Sequence, residues 1–253
     1  MEWLSPNLAP DKHCFFGRLG GASQGRYFSL NLNSRSADNP EHIRQNYQTI
    51  AAHYGLDATR LLRLNQGVSA DVVFVDSPSM NRITADGAVT TTKDIILCIG
   101  TADCAPVLFA DYAHGVIGAA HGGWRGAFKG VIENTLNLML RHGAQVDSIA
   151  AAIGPCIQQP SFEMGAEVRT QFITQSAANA AYFIPSPRAE HYLFDLSGYI
   201  RDKLLHLGVN NVINSGIDTY TDAANWYSYR RDTHQGLITS PHDFPVELST
   251  IIL

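Results

Sequence analysis

Two segments decide how this chain folds: TADCAPVLFAD at Thr101–Asp111 and GVIGAAHGGWRG at Gly115–Gly126. Each contains a run of apolar or small residues with the length of a strand, so each predicts a β-strand. Cys104 and His121 are then expected at the ends of these strands. Directly afterwards, Ala127–His142 carries apolar residues at helical spacing and predicts a helix.

The turn between the second predicted strand and the helix is rich in glycine and contains Arg125. Glycines let the backbone approach a ligand closely, and the start of a helix favours an anion, to which a guanidinium adds a planar charged fork. Taken alone, Cys104 or His121 is more often structural than functional. Because both lie near this turn and Arg125, we interpret the three side chains as parts of one functional pocket.

The composition is that of an ordinary globular protein, with 253 residues, 45% of them hydrophobic and 16% charged. No repeat, low-complexity segment or linker interrupts the alternation of predicted strands and helices, so we expect one mixed α/β domain over residues 1–253. No apolar run reaches the roughly 20 residues that cross a bilayer. A net charge of −5 without a Lys/Arg cluster argues against a nucleic-acid surface and favours a small-molecule partner.

Four cysteines, Cys14, Cys98, Cys104 and Cys156, are spread over the chain without a CxxC pair. This spacing is not that of a disulfide framework, so we expect free thiols. The first residues lack a basic segment followed by an apolar core, so they do not predict a secretory signal, and we expect a cytoplasmic protein. The pattern does not indicate an oligomeric state.

Three further polar residues are candidates for substrate binding, each with a structural alternative. Arg18 precedes a double glycine and is either an anion-binding residue or a surface residue of a turn. Asn31, within an apolar SLNL run, is either a buried hydrogen-bonding residue or a strand-end cap. Arg230 lies in an aromatic segment that either stacks a planar ligand or, as we favour, closes a sheet edge.

The remaining pattern predicts further helices and strands on both sides of the central segments. A helix is expected between Asp38 and Gly55, where a cap residue and Pro40 precede apolar residues at helical spacing. Other helices are predicted at Glu163–Gln171 and at Tyr192–Leu207, with Asp195 in the cap region of the latter. Strands are predicted at Cys14–Phe16, Leu61–Leu64, Asp71–Val75, Ile95–Ile99, Ser148–Ile153 and Val212–Ser215.

Seven motifs in this order resemble one known family: R-x-GG-x-S-x-G-x-Y-x-SLNL (Arg18–Leu32), D-x-PE-x-x-x-x-N (Asp38–Asn46), ADG-x-VT (Ala85–Thr90), TADCAPVL-x-AD, GAAH-x-GWRG, AAIGPCI (Ala151–Ile157) and YSYRRD (Tyr227–Asp232). The chain resembles laccase-domain proteins, first described as multicopper polyphenol oxidases and later as purine nucleoside phosphorylases with adenosine deaminase activity. The resemblance implies a layered α/β/β/α sandwich, with two mixed β-sheets and outer helices.

The resemblance also implies a transition-metal site, with zinc or, in the older description, copper. Its ligands are a histidine of a Q-V-H-G motif, the cysteine of TADC and the histidine of H-x-GWRG, and the last two carry over to Cys104 and His121. At the first motif this chain reads QGVSAD and has Val68 in place of the histidine. A second departure is Arg35 with its serine neighbours, where many members read L-H-V-G.

The change at Val68 matters because a catalytic zinc needs three protein ligands and valine has no lone pair to donate. Cys104 and His121 alone are therefore expected to hold a metal poorly. Either another histidine takes the place, or the chain has lost its metal, or the cysteine and histidine work as a thiol–imidazole pair. The substitute histidines that the sequence offers without ranking are His13, His191 and His234.

The function that the resemblance implies is phosphorolysis of adenosine or inosine, and relatives also deaminate adenosine. We assign candidate catalytic roles to Cys104, His121, Arg125 and Asp103. Candidate substrate-binding roles go to Arg18, Asn31, Gly123 and Arg230.

Three alternatives remain open. A copper-dependent polyphenol oxidase is disfavoured because the ten histidines are scattered without H-x-H spacing. A cysteine-type hydrolase, with Cys104 as nucleophile and His121 as base, would be unaffected by Val68. A divergent, non-catalytic binding protein is the third alternative, and Val68 is the residue that favours it.

Overall fold

Strands and helices alternate along the chain in a computed structural model that describes residues 2–78 and 83–253. None of the helices in these two ranges has the length and apolar character required to cross a bilayer. The helices are α1 (Pro40–His53), α2 (Trp124–Lys129), α3 (Val131–Arg141), α4 (Ala166–Gln175), α5 (Leu196–His206) and α6 (Tyr229–His234). The strands are β1 (Glu2–Trp3), β2 (His13–Phe16), β3 (Leu61–Asn65), β4 (Val72–Phe74), β5 (Ile83–Thr84), β6 (Gly87–Thr90), β7 (Ile96–Thr101), β8 (Ala105–Asp111), β9 (Val116–Gly122), β10 (Ala150–Ile153), β11 (Glu163–Gly165), β12 (Phe183–Pro185), β13 (His191–Phe194), β14 (Asn211–Asn214) and β15 (Glu247–Ile251).

Within the described ranges, the strands form two six-stranded sheets and one three-stranded sheet. The first large sheet has the order β1-β2-β15-β7-β3-β5, and the second has the order β14-β10-β8-β9-β6-β4. Both are mixed: β3 runs parallel to β7 and β10 runs parallel to β14, whereas β15 is antiparallel to β7 and β8 is antiparallel to β9. The small sheet has the order β11-β13-β12.

The two large sheets pack face to face, and helices cover their outer faces. Strand β7 shows how the sequence specifies this arrangement, because its successive side chains point to opposite faces. Leu97 packs in the core between the two sheets, whereas Ile96 packs in a cluster with Ile50 of α1. On the far side of the second sheet, Leu136 of α3 and Ile200 of α5 belong to a third cluster. The predicted α/β/β/α layering is confirmed.

The predicted helix Ala127–His142 is wrong in its bounds. The structure begins a helix earlier, at Trp124, ends it at Lys129 and begins a second one at Val131. Gly130, with φ of 105°, separates the two helices, since this left-handed conformation is accessible to glycine and ends a helix. The sequence predicted one continuous helix because the apolar side chains keep nearly the same helical spacing on both sides of Gly130.

Two other predicted helices begin too early. Residues 163–165 and 192–194, expected to be helical, belong to antiparallel strands of the small sheet, where each pairs with a neighbour. The side chain of Asp195 caps α5 as expected, because its Oδ1 accepts a hydrogen bond from the Gly198 N–H at 2.8 Å. The helix predicted between Asp38 and Gly55 is confirmed as α1, with Asn39 as its N-cap.

The register of the second large sheet brings three distant residues to one place. In the β8–β9 pair, Pro106 lies opposite His121, so Cys104, two residues before Pro106, lies beside the end of β9. In the β6–β9 pair, Gly87 lies opposite Ala120, so Asp86 lies beside His121. The fold therefore places a thiol, an imidazole and a carboxylate at the same edge.

Candidate active site

Consecutive hydrogen bonds at this end of the second large sheet connect Asp86 to His121 and His121 to Cys104. The Nδ1 atom of His121 lies 2.8 Å from Oδ1 of Asp86, and the backbone N–H of His121 donates to the Asp86 carbonyl oxygen at 2.7 Å. The His121 side chain is also hydrogen-bonded to Cys104. Because Nδ1 already binds the carboxylate, Nε2 is the atom that faces the sulfur.

The Asp86 carboxylate also fixes the loop that contains Val68. It accepts hydrogen bonds from three consecutive backbone N–H groups: Gly67 at 3.1 Å, Val68 at 3.0 Å and Ser69 at 2.6 Å. Asp86 is fully buried, so these donors replace the water that the carboxylate loses. One side chain thus orients both the imidazole and the loop facing it.

These contacts shift two pKa values in opposite directions. Burial acts to raise the pKa of Asp86, but the hydrogen bonds from His121 and Ser69 outweigh it and lower the pKa to about 2. Burial acts to lower the pKa of His121, but the adjacent Cys104 sulfur and Asp86 carboxylate raise it to about 10. At neutral pH the site therefore holds an imidazolium against an ionised carboxylate.

Val68 completes a triangle with the thiol and the imidazole around Gly123. A methyl group placed on Gly123 would lie 3.1 Å from Sγ of Cys104, 3.2 Å from Cγ1 of Val68 and 3.6 Å from Cε1 of His121. A side chain at position 123 would therefore press against Cys104 and Val68 and make them shift by a few tenths of an ångström. Val68 has φ of 58°, which is unusual for a β-branched residue and is held by the Asp86 hydrogen bonds.

The donor set at this triangle does not fit the metal site that the resemblance implies. Val68 presents an isopropyl group at the third corner, and no group of three His, Cys, Asp or Glu side chains suited to a metal ion occurs within residues 2–78 and 83–253. Both ring nitrogens of His13 are occupied, by the Ser5 N–H and the Ala9 carbonyl. The other substitutes considered, His191 and His234, do not line the cavity described next.

A cavity of about 470 Å³ opens in front of Cys104 and His121, and its lining extends to Cys98 of β7, Leu248 of β15 and Tyr47 of α1. Its volume is in the range of small-molecule sites in proteins. Its wall includes three aromatic side chains, those of Tyr47, Tyr229 and Phe244. The cavity therefore offers both apolar surface and the thiol–imidazole pair to one ligand.

Arg125 lies outside this cavity. Its side chain is exposed, and its guanidinium lies 4.2 Å from the centre of the Trp124 ring. The structure thus shows a cation–π contact for this residue. The phosphate-binding role assigned to Arg125 from the sequence remains a prediction that this placement does not support.

Arg18 and Asn31 each hold two distant parts of the chain together. The Arg18 guanidinium donates to the carbonyl oxygens of Phe28 and Ala223 at 2.7–2.9 Å. The buried Asn31 side chain donates to Asp38 and accepts hydrogen bonds from the backbone N–H groups of Asn33 and Val246. Neither side chain lines the cavity.

Asp103 and Arg230 lie behind the cavity wall and support the Cys104 turn. The Asp103 carboxylate accepts hydrogen bonds from the hydroxyls of Thr219 at 2.7 Å and Ser228 at 3.0 Å, and from the Arg230 N–H at 2.7 Å. Burial raises the pKa of Asp103, although these donors act against it. The Arg230 guanidinium donates to the Glu163 carbonyl oxygen at 2.9 Å. The structure therefore brings together Cys104, His121 and Gly123 of the predicted residues, and not the other five.

Sequence reasoning did not identify Asp86, which holds His121, or Arg35 and Arg63, whose side chains line the cavity. Asp86 is part of the ADG-x-VT motif, but it lies 35 positions from His121, and only the strand register joins the two. Arg35 was noted as a departure from the family pattern, without a role. Arg63 gave no signal in the sequence, because it alternates with buried leucines as an outward residue of an ordinary strand would.

Comparisons with known proteins support the resemblance. The family model described as multi-copper polyphenol oxidoreductase laccase matches residues 12–240. A Deinococcus radiodurans protein named purine nucleoside phosphorylase is 39% identical over 231 residues, covering 91% of this chain and 87% of its own length. The Escherichia coli protein named purine nucleoside phosphorylase YfiH is 34% identical, covering 90% and 91%. The crystal structure of a Neisseria meningitidis DUF152 protein matches with a TM-score of 0.88 and 32% identity, covering 100% and 98%.

We expect Asp86 to make the protein acid-sensitive. Its pKa in the folded state, about 2, is below the ordinary value, so its stabilising contribution is present above about pH 4 and is lost as the pH falls through about 2. Asp86→Asn should lower the free energy of unfolding at pH 7 by about 3 kcal/mol or more, because His121 and three N–H groups lose a charged acceptor. Urea denaturation between pH 2 and 7 should show a flatter profile for this variant. The exposed Asp147→Asn serves as control, and parallel profiles for all three proteins would contradict the assignment.

We expect the wild-type protein to purify with well under one zinc per chain, since two donors hold zinc weakly. Val68→His should raise the zinc content towards one per chain, and histidine tolerates the left-handed backbone better than valine does. Elemental analysis and zinc titration measure the occupancy. Val68→Ala, which removes the isopropyl group without adding a donor, should resemble the wild type. Tightly bound stoichiometric zinc in the wild-type protein would show that another donor completes the site.

Proposed function

Because this chain belongs to the multi-copper polyphenol oxidoreductase laccase family, in which similar proteins carry the name purine nucleoside phosphorylase, we propose that it cleaves purine nucleosides with phosphate. In this reaction an oxygen of inorganic phosphate bonds to the anomeric carbon of the ribose as the bond to the purine nitrogen breaks. Adenosine and inosine are the substrates proposed. The products are the free base and ribose 1-phosphate.

The observation that carries the proposal is His121, hydrogen-bonded to Asp86 in the wall of a cavity of nucleoside size. A departing purine takes the bonding electron pair and leaves more readily when a ring nitrogen receives a proton. His121 supplies that proton from Nε2, which exchanges its hydrogen bond to the Cys104 sulfur for one to the base, while Asp86 holds Nδ1 and fixes the ring. The proton that phosphate releases on forming the ester restores the imidazolium, so the cycle needs no further reactant.

Aromatic side chains at the other side of the cavity support a planar base. Tyr229 and Phe244 line the wall, with ring centroids 4.8 Å apart in an edge-to-face arrangement. Such rings offer apolar surface against which a purine can pack. Cys104 lies beside Val68 and His121, and its hydrogen bond with His121 orients the imidazole before substrate binds.

Two other activities of the family require a metal that the donor set does not fit. Deamination by zinc enzymes uses a metal-activated hydroxide, and phenol oxidation by copper uses several metal centres. We therefore do not extend the proposal to either reaction, and the steps above use only side chains of this chain.

We expect purified protein to release adenine from adenosine, or hypoxanthine from inosine, only in the presence of phosphate. Chromatography of the base and an assay of ribose 1-phosphate measure the reaction. His121→Gln should lower kcat by about 10²- to 10⁴-fold, the usual contribution of a general acid, whereas His206→Gln on the exposed end of α5 should leave kcat unchanged. Base release without phosphate, or none at all, would exclude phosphorolysis.

A second candidate function is supported by the same line of residues. Cys104, His121 and Asp86 are arranged as thiol, imidazole and carboxylate, which is the arrangement of a cysteine-type hydrolase. Cys104 is partly exposed and lines the cavity, whereas Cys14, Cys98 and Cys156 are buried, and burial raises their pKa. Cys98 also lines the cavity, but burial raises the pKa of its thiol, so we infer that Cys104 is the more nucleophilic of the two cavity thiols.

Alkylation tests this second candidate. Iodoacetamide at neutral pH should label Cys104 well before Cys156, because the thiolate is the reacting form and the Cys156 thiol is buried. Peptide mass spectrometry gives the rates. An activated ester should also leave an acyl group on Cys104 of the wild type and none on Cys104→Ser. Equal labelling of the two cysteines, or no acyl adduct, would leave phosphorolysis as the single candidate.

A further inference from the structure

The cavity carries two arginines in addition to the Cys104–His121 pair. We propose that Arg35 and Arg63 form a binding site for a phosphate group, at the part of the cavity formed by β3 and the loop before α1. This inference deepens the proposed function and rests on it only for the source of the phosphate. Nothing in the sequence motifs assigned a role to either residue.

The charge of the cavity is opposite to the charge of the protein. The chain has 23 acidic and 18 basic residues, with a net charge of −5. Yet no aspartate or glutamate occurs among the cavity-lining side chains that the structure describes, whereas Arg35, Arg63, His121 and His242 do. An anion in this cavity meets only neutral or basic groups, and low-dielectric walls strengthen that attraction.

Arg63 is held in a position suited to binding an anion. It extends from β3, and its guanidinium lies 4.3 Å from the centre of the Tyr47 ring. The Tyr47 hydroxyl donates to the Leu32 carbonyl oxygen at 2.5 Å, which fixes the ring. Stacking on a fixed ring orients the plane of the guanidinium and leaves its N–H edge for a ligand.

Arg35 has a charged side chain without a partner in the part of the chain that the structure describes. Its backbone N–H donates to Oδ1 of Asn33 at 3.0 Å, so the loop is fixed while the side chain reaches the cavity. Exposed Arg44 and Arg201 pair with Glu41 and Asp202, whereas exposed Arg60 and Arg141, like Arg35, form no ion pair among the described residues. Arg35 differs from Arg60 and Arg141 because its side chain lines the cavity. An unpaired guanidinium in an acid-free cavity indicates a ligand that supplies the missing negative charge.

The chemistry of two guanidiniums matches a phosphate group. Each presents N–H donors in a planar fork, and forked pairs with phosphate are among the strongest charge-assisted hydrogen bonds in proteins. Arg125, the sequence-based candidate for this role, lies over Trp124 outside the cavity. Arg35 and Arg63 can therefore supply the guanidinium contacts that Arg125 does not, in the cavity that His121 also lines.

A phosphate group at this site has two sources, inorganic phosphate as the second substrate or the 5′-phosphate of a purine nucleotide. Isothermal titration of the whole protein with inorganic phosphate, adenosine and adenosine 5′-monophosphate separates them. Binding of inorganic phosphate identifies the second substrate. Tighter binding of the nucleotide than of adenosine, without binding of inorganic phosphate, identifies a nucleotide ligand.

We expect Arg35→Ala and Arg63→Ala each to weaken binding of the phosphate-bearing ligand by about tenfold or more, the loss of one charge-assisted contact. Adenosine affinity should change less than about threefold. Arg63→Lys should lose most of the affinity as well, because it keeps the charge without the fork. Arg141→Ala, on the exposed end of α3, is the matched control and should bind like the wild type.

Arg35 is exposed, so its variant tests the site without disturbing the core, and thermal unfolding confirms that each variant is folded. Unchanged affinity in both alanine variants would overturn the proposal, and so would a wild-type protein that binds neither inorganic phosphate nor the nucleotide better than adenosine. Arginine-dependent binding in a protein that releases no base would support the site and remove the proposed phosphorolysis.

Discussion

The carboxylate of Asp86 is the constraint on which the site depends. It lies in a fully buried position, where an unpaired charge would be costly, and it is satisfied by His121 and by three N–H groups of the Val68 loop. The same carboxylate thereby joins β6, β9 and the loop after β3, which come from both large sheets. The orientation of the imidazole and the position of the loop are consequently not independent features.

The site keeps the carboxylate–histidine pair but lacks a third metal donor. A carboxylate behind a histidine commonly orients a metal ligand, and here the same support remains while Val68 contributes only apolar surface. Positive charge in the cavity comes instead from side chains, namely the imidazolium of His121 and the guanidiniums of Arg35 and Arg63. An anionic group therefore finds electrostatic stabilisation from the protein alone.

Strand-length apolar runs and the family motifs predicted the layered fold and the proximity of Cys104 to His121, because these depend on local periodicity and on one hairpin. The predicted helix bounds were wrong where strand pairing or backbone conformation overrode the helical periodicity, as at Gly130 and at residues 192–194. The hydrogen bond between Asp86 and His121 depends on strand register. The position of Arg125 outside the cavity goes with its contact with the Trp124 ring. Neither can be obtained from residue types and spacing.

The position of β15 couples the cavity to the whole fold. This strand follows every other element along the chain, yet it lies inside the first sheet between β2 and β7, and Val246 and Leu248 line the cavity. Pairing of β15 with β2 spans more than 230 positions, as in Thr250 with Cys14, and contacts of such sequence separation form slowly. A nascent chain therefore lacks this part of the cavity wall until β15 has emerged and inserted. Occupancy of the cavity conversely stabilises the longest-range pairing in the sheet, so that a bound ligand protects the entire molecule against unfolding and not only the loops it touches.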